Sequence, residues 1–244
     1  MSAKGLAIVN LLQLQPEETV STVINISKQT EAENLIMCTV RGVVKKTSFE
    51  QYKNVRSSGL IAINLDDGDE LKWIRQTSGD DEVVISTSQG QAIRFHEKGV
   101  RATGRVARGV RGIRLRANDK VIGMDVVENT ASIFVISEFG YGKRTKVAQF
   151  TPHARGGVGI RSAVVNTKTG SLVGVKRLDA DLQEVNLISS NGQTIRLGIN
   201  DIPALGRATQ GVRIMRLNEG DRVVSLALVN KVEDSELDEV EDSK

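Results

Sequence analysis

A chain of 244 residues, 39% of them hydrophobic, is long enough to bury a substantial core, and no apolar run approaches the roughly 18 residues a membrane span needs. The single cysteine, Cys38, excludes an internal disulfide, and two histidines as far apart as His96 and His153 offer no zinc spacing and no nucleophilic triad. The formal net charge is +3, but Lys231 to Lys244 holds seven acids and two lysines, so the remainder carries 31 basic against 23 acidic residues, or +8.

Along the chain, Met1 to Asn10 has the faint outline of a signal peptide. Asn10 and Gln13 break its apolar run and no cleavage site follows, so the protein reads as soluble and cytoplasmic. Within that stretch Gly5 is followed four residues on by Val9, a pairing that recurs further along and places the start of the chain partway through a repeated unit. Complete units follow with a period of about fifty residues. In each, an apolar run ends on a glycine: Leu35 to Gly42, Val83 to Gly90, Ile133 to Gly140 and Val185 to Gly192. A basic residue stands four positions after each glycine, at Lys46, Arg94, Arg144 and Arg196. A second glycine follows at Gly59, Gly109, Gly156 and Gly211, with Ile63, Ile113, Ile160 and Met215 four positions beyond. Each unit closes with a polar turn and another apolar run, opening at Leu71, Val121, Leu172 and Val223.

Abundant glycine (23), scarce proline (3) and short Val and Ile clusters favour strands joined by tight turns. The glycines suit turns between antiparallel strands, where positive φ costs Gly little and a β-branched residue much. Four strands in about fifty residues describe one blade of a propeller-type fold, and a blade that cannot bury its own faces must stack on its neighbours. Runs without strict alternation, such as Val83-Val84-Ile85, fit strands covered on both faces. The expectation is one repeat domain over residues 1–230 and a disordered acidic tail over 231–244. Cys38, inside Leu35 to Val40, reads as a buried and inert thiol.

Basic residues gather around the second glycine of each unit: Lys4 in the partial unit, then Lys53 and Arg56, then Arg101, Arg105, Arg108 and Arg111, then Arg155 and Arg161, then Arg207 and Arg213. The cations after each first glycine, Lys45, Lys46, Arg94, Lys143, Arg144 and Arg196, join them as candidate contacts. Recurrence at equivalent places predicts a cationic track along stacked blades, matched to a phosphate backbone. Few aromatics argue against a single-strand stacking platform, and no recognition helix is evident, which leaves backbone binding of duplex DNA. Bending 20 to 30 base pairs costs about 1 to 6 kcal/mol, so a wrap needs contacts spread over several blades.

The segment Gly140-Tyr141-Gly142-Lys143-Arg144-Thr145 resembles the Gly-Tyr-Gly-Lys-Arg-Thr signature of the family of DNA gyrase A C-terminal domains. Lys4-Gly5 with Ile8 to Asn10, Gly42 to Lys46, Asp67 to Leu71, Gly109 to Ile113, and Gly206-Arg207 with Gln210 to Val212 are similar to successive blades of that family. The resemblance implies an all-β, β-pinwheel fold of four-stranded blades, with about five units present of a six-bladed family fold. It implies wrapping of DNA around a basic rim, in support of ATP-dependent negative supercoiling. On the same ground the partners are duplex DNA and the rest of the gyrase A and B proteins in an A2B2 holoenzyme, with no membrane, in a bacterial, nucleoid-associated setting. No cofactor is expected in this domain, ATP and Mg belonging to other parts of the holoenzyme, and neither Tyr52 nor Tyr141 is a cleaving nucleophile.

Two departures stand out. The box heptapeptide Gln-Arg-Arg-Gly-Gly-Lys/Arg-Gly, which the family places in its first blade, is absent, although Arg155-Gly156-Gly157-Val158-Gly159 resembles its centre. The opening in mid-blade reads as an excised or truncated piece that does not close a six-bladed ring by itself. The C-terminal domain of the equivalent topoisomerase IV protein is the alternative within this class, and the hexapeptide favours gyrase. A protein-binding propeller is a second alternative, against which the single Trp73 speaks; an enzyme on a propeller would need convergent acids or histidines that the sequence does not show.

Overall fold

The computed structural model describes residues 20, 22–24, 32–53, 59–179 and 184–229. Among them there is no α-helix, and so no helix long and apolar enough to cross a membrane. The strands, in chain order, are β1 (Asn34–Thr39), β2 (Val43–Ser48), β3 (Leu71–Thr77), β4 (Glu82–Thr87), β5 (Gln91–His96), β6 (Val110–Arg111), β7 (Val121–Val127), β8 (Ser132–Ser137), β9 (Tyr141–Lys146), β10 (Ile160–Arg161), β11 (Leu172–Leu178), β12 (Glu184–Ser189), β13 (Thr194–Gly198), β14 (Val212–Arg213) and β15 (Val223–Val229).

Each apolar run and the basic run after it form a tight hairpin, as expected of the first glycines. Gly42, Gly90, Gly140 and Gly192 have φ of +81°, +75°, +77° and +83°. Local side chains shape the same turns: the hydroxyls of Thr39, Ser137 and Ser189 each accept from the backbone N–H four residues on, at 3.1 Å. The closing run returns to pair with the opening one, giving strand orders β3-β1-β2-β6, β10-β5-β4-β7, β11-β8-β9-β14 and β13-β12-β15.

The third strand of the second, third and fourth units departs from the sequence reading. It does not lie in its own blade but adds to the preceding one: β6, from the second unit, pairs Val43 with Arg111 and Val44 with Val110, and β14, from the fourth, pairs Gly142 with Val212 and Tyr141 with Arg213. The carbonyls of three of the four first glycines accept from the donated segment, Gly42 from Gly112 (2.8 Å), Gly90 from Ser162 (2.8 Å) and Gly140 from Ile214 (2.8 Å). A Cβ on Gly140 would stand 2.2 Å from the Met215 carbonyl oxygen, so the glycine serves the incoming strand as well as the turn. This register also corrects the second glycine of the third unit. The equivalent of Gly109 and Gly211 is Gly159, not Gly156, since Gly159 opens β10 and packs against the Ala92 carbonyl as Gly109 packs against that of Val44.

By contacts the chain forms two compact units. The first comprises Met1–Thr87, Ala92–Val126 and Pro152–Ile160; the second comprises Ser88–Gln91, Val127–Thr151 and Arg161–Lys244. In the first, Ile36, Cys38, Val44, Ile85, Phe95 and Ile113 share one buried cluster; in the second, Phe134, Ile136, Val185, Leu187 and Met215 share another. β1, β4 and β8 are buried along nearly their whole length, as runs without alternation imply, whereas β12 is open at Ile188. The Cys38 thiol is buried, and burial together with the Asp69 charge pushes its pKa far up, leaving it inert as expected.

Candidate nucleic-acid interface

Four cations of the second hairpin strands point inward, which corrects the sequence reading of Lys45, Lys46, Arg94 and Lys143 as candidate DNA contacts. Lys45 and Lys143 are 1% exposed, Arg94 3% and Lys46 7%. An ammonium leaves water only where acceptors replace it, and the donated loops supply them. Lys45 Nζ donates to the carbonyls of Ala62 (2.6 Å) and Arg105, and Lys143 Nζ to those of Gly206 (2.7 Å) and Arg207 (2.5 Å) and to Thr209 Oγ1 (3.1 Å). Burial, helped by a neighbouring arginine, lowers both pKa values to about 8. Lys46 lies 3.2 Å from Glu97, whose carboxylate is fully buried. Burial alone would raise the Glu97 pKa, but Asp81 N–H, the Thr77 hydroxyl and Lys46 together hold it below the usual range. Arg94 pairs with Glu82, and Arg196, although exposed, pairs with Glu184; half-buried Arg144 donates from Nε to the Ile202 carbonyl (2.9 Å).

A second set braces the backbone. Arg105, Arg155 and Arg207 stand fifteen residues after their first glycines and are half-buried. Arg155 Nη1 donates to the Arg111 carbonyl (3.0 Å) and its Nε to that of Gly99 (2.7 Å); Arg207 Nη1 makes the corresponding bond to the Arg161 carbonyl (2.8 Å). Arg155 and Arg207 thus fix the donated strands with part of their donor capacity.

The third set is exposed. Arg111, Arg161 and Arg213 stand twenty-one residues after their first glycines, each as the second residue of a donated strand. The guanidinium groups of Arg111 and Arg161 make no hydrogen bond or ion pair among the described residues. Arg101, Arg108 and Lys53 are also exposed, Arg108 lying 3.2 Å from Asp66 and Lys53 pairing with Glu50. Lys4 and Arg56 lie outside the described residues, as does the acidic tail.

Where a donated strand meets its host hairpin there is a groove. In the first unit it encloses about 480 Å³ and is lined by Arg41, Arg108, Arg111 and Arg114 around the single carboxylate of Asp66. Arg41 is held against the closing turn by its Nη1 bond to the Asp67 carbonyl (2.8 Å). In the second compact unit the corresponding groove encloses about 430 Å³ between Phe139, Tyr141, Lys168, Arg213 and Arg222. Sequence reasoning missed Arg41, Arg114, Lys168 and Arg222, which sit outside the clusters around the second glycine. The signal for one of them was a repeat: Arg114 and Arg216 both stand twenty-four residues after a first glycine. No cluster of metal-binding side chains is found among the described residues.

Residues 33–78, 81–128, 131–179 and 183–230 each match the family described as DNA gyrase C-terminal domain, beta-propeller. The chain is 39% identical over 242 residues to the DNA gyrase A protein of Salmonella typhimurium, covering 99% of this chain and 27% of that protein. To that of Clostridium acetobutylicum it is 46% identical over 241 residues, covering 99% and 29%. It thus spans less than a third of the length of these relatives. Among solved structures it is similar to a DNA gyrase A C-terminal domain (TM-score 0.81, 26% identity, 93% of this chain and 75% of that one). It is equally similar to the C-terminal domain of DNA topoisomerase IV (TM-score 0.83, 25% identity, 93% and 71%).

Proposed function

Because the chain belongs to the DNA gyrase C-terminal domain family, we propose that it binds duplex DNA through the phosphate backbone, without reading base sequence, and bends it as the wrapping module of a gyrase. The observation that carries this reading is the arginine repeated at one register of the donated strands, Arg111, Arg161 and Arg213, exposed in three successive repeats. Repetition at about fifty residues suits a ligand whose own charge repeats, and duplex DNA presents one phosphate per roughly 1.7 Å of axis. The grooves in which Arg111 and Arg213 lie offer guanidinium forks, which match phosphate oxygens in pairs.

On this reading the rest of the gyrase A protein, the gyrase B protein, ATP and Mg enter through the holoenzyme, and this chain presents a curved DNA segment to them. A salt titration of binding to a duplex tests it. With about 6 to 8 phosphate contacts, affinity falls by roughly 10³-fold or more between 50 and 200 mM salt, whatever the sequence. A variant carrying Arg111→Glu, Arg161→Glu and Arg213→Glu binds more weakly with a shallower slope while keeping its circular dichroism. A salt-independent affinity would overturn the proposal. The likeness to a topoisomerase IV domain keeps a second reading, in which the same contacts serve a shorter bend. Ligation of nicked circles bound to the chain separates the two, because a wrap of positive hand leaves a change in linking number and a simple bend leaves none.

A further inference from the structure

The two grooves hold their cations differently. In the first, Asp66 ion-pairs with Arg108, so the charge is fixed in place and partly cancelled. In the second, the closing turn brings Lys168 instead of a carboxylate, and the host strand brings Tyr141 where the first groove has Val43. The Tyr141 ring is buried, at 6% exposure. Lys168 Nζ lies 5.5 Å from its centroid and the Arg213 guanidinium carbon 5.4 Å, while Arg213 Nη2 donates to the phenol oxygen at 3.0 Å. An aromatic ring orients a cation through its quadrupole and leaves the full positive charge available to a ligand, which a carboxylate does not.

Of the other charges at this groove, Arg222 is ion-paired and the Asp221 carboxylate is held by hydrogen bonds at one oxygen, its Oδ2 being buried without a hydrogen-bond partner among the described residues. Arg222 pairs with Glu138 at 2.9 Å. Asp221 accepts at Oδ1 from Ser190 Oγ (2.7 Å) and from the backbone N–H groups of Asn191 (3.1 Å) and Arg222 (2.8 Å). Neither Lys168 nor Arg213 forms an ion pair with Asp221 or another carboxylate among the described residues, and two cations held against one ring repel each other until an anion joins them.

We infer that Lys168 and Arg213 form a clamp for a single DNA backbone phosphate, with Tyr141 as its positioning residue. This rests on the duplex-binding reading and adds to it two residues, Tyr141 and Lys168, with distinct roles. The test is the slope of log affinity against log salt for one duplex, measured on the native chain and on Lys168→Gln, Arg213→Gln, Tyr141→Phe and Tyr141→Leu. Removing both cations together, in the double variant Lys168→Gln with Arg213→Gln, makes the slope shallower by about 0.9, the value for one phosphate contact, and each single variant makes it shallower by part of that. Tyr141→Leu removes no charge, yet lowers affinity by about 2- to 5-fold for each cation released, and Tyr141→Phe, which keeps the ring, stays closer to the native value. Native slopes in both Lys168→Gln and Arg213→Gln, with the native chain still steeply salt-dependent, overturn the clamp and leave the duplex reading standing. A flat native slope overturns that reading itself. Equal affinities for the Phe and Leu variants remove Tyr141 from the positioning role, and because Lys168 is an exposed residue, its variant decides the clamp even where Tyr141→Leu fails to fold.

Discussion

Lys45 and Lys143 each stand three residues after a turn glycine, and each sends its ammonium into the carbonyls of the following repeat, Lys45 also into that of Ala62 in its own. Their pKa values, lowered by burial from 10.5 to about 8, mean that the folded chain releases these protons before the unfolded chain does. Stability therefore rises as pH climbs from about 8 toward 10.5, where the unfolded state binds more protons. In Lys143→Met that contribution is gone, and the urea midpoint gains less over this interval than in the native chain. An equal gain in both would place the Lys143 titration elsewhere. Gly140 and Gly192 make a second residue-scale comparison. Both have positive φ, and an alanine there costs about 1 to 2 kcal/mol in the left-handed region. At Gly140 the new Cβ also meets a backbone oxygen at 2.2 Å, whereas at Gly192 nothing lies within 4 Å. Gly140→Ala is thus the more destabilising change in a denaturation series, and parity between the two would mean that the incoming strand yields freely. The turn glycines were legible in the sequence because the requirement for positive φ is local. The inward turn of Lys45 and Lys143 was not, because its cause is a set of carbonyls that lie between 17 and 64 residues away in the chain.

At the scale of elements, the strands were readable from the apolar runs, four in each of the last three units and three in the first among the described residues, but their assignment to sheets was not. A two-residue strand such as β6 has the same composition whether it pairs within its own unit or with the preceding one, and only the long-range register distinguishes the two. The same ambiguity attached the third unit to Gly156, since Gly156 and Gly159 both have positive φ and only Gly159 abuts the host strand. A buried ion pair adds a further tie inside the first compact unit, between the first and second repeats. Lys46, on β2, meets Glu97, just beyond β5, and Glu97 also accepts from Thr77 Oγ1 (2.9 Å) and the N–H groups of Gly79 (2.9 Å) and Asp81 (3.0 Å). Glu97→Gln leaves the Lys46 ammonium buried without its counterion, at a cost of about 3 to 5 kcal/mol. Adding Lys46→Met restores part of that stability, so a double-mutant cycle by urea denaturation shows strong coupling; additive losses would reduce the pair to a coincidence of packing. Since the Glu97 pKa is depressed in the fold, its contribution is present at neutral pH and fades as acid protonates it below the usual carboxylate range.

For the whole molecule the relevant quantity is where the positive charge is free. Interior struts and braces take up Lys45, Lys46, Arg94 and Lys143, so the count of basic residues overstates what a polyanion would meet, and on the proposed function the donated-strand arginines carry correspondingly more of the binding. Against this surface stands the acidic stretch of residues 231–244, whose seven acids and two lysines hold the net charge at +3 when the remainder is +8. A polyanion tethered to a polycation competes for the sites that DNA would occupy, and both attractions weaken as the screening length contracts from about 10 Å at 0.1 M salt to about 3 Å at 1 M. Deleting residues 231–244 accordingly raises duplex affinity several-fold near 50 mM salt, and the gain shrinks as salt increases. A change in overall charge would produce a similar trend, so the discriminating measurement adds the 231–244 peptide in trans to the truncated chain. Competition predicts that the peptide inhibits DNA binding and that salt relieves the inhibition, whereas a truncated chain whose affinity neither rises nor responds to the peptide has no such competitor.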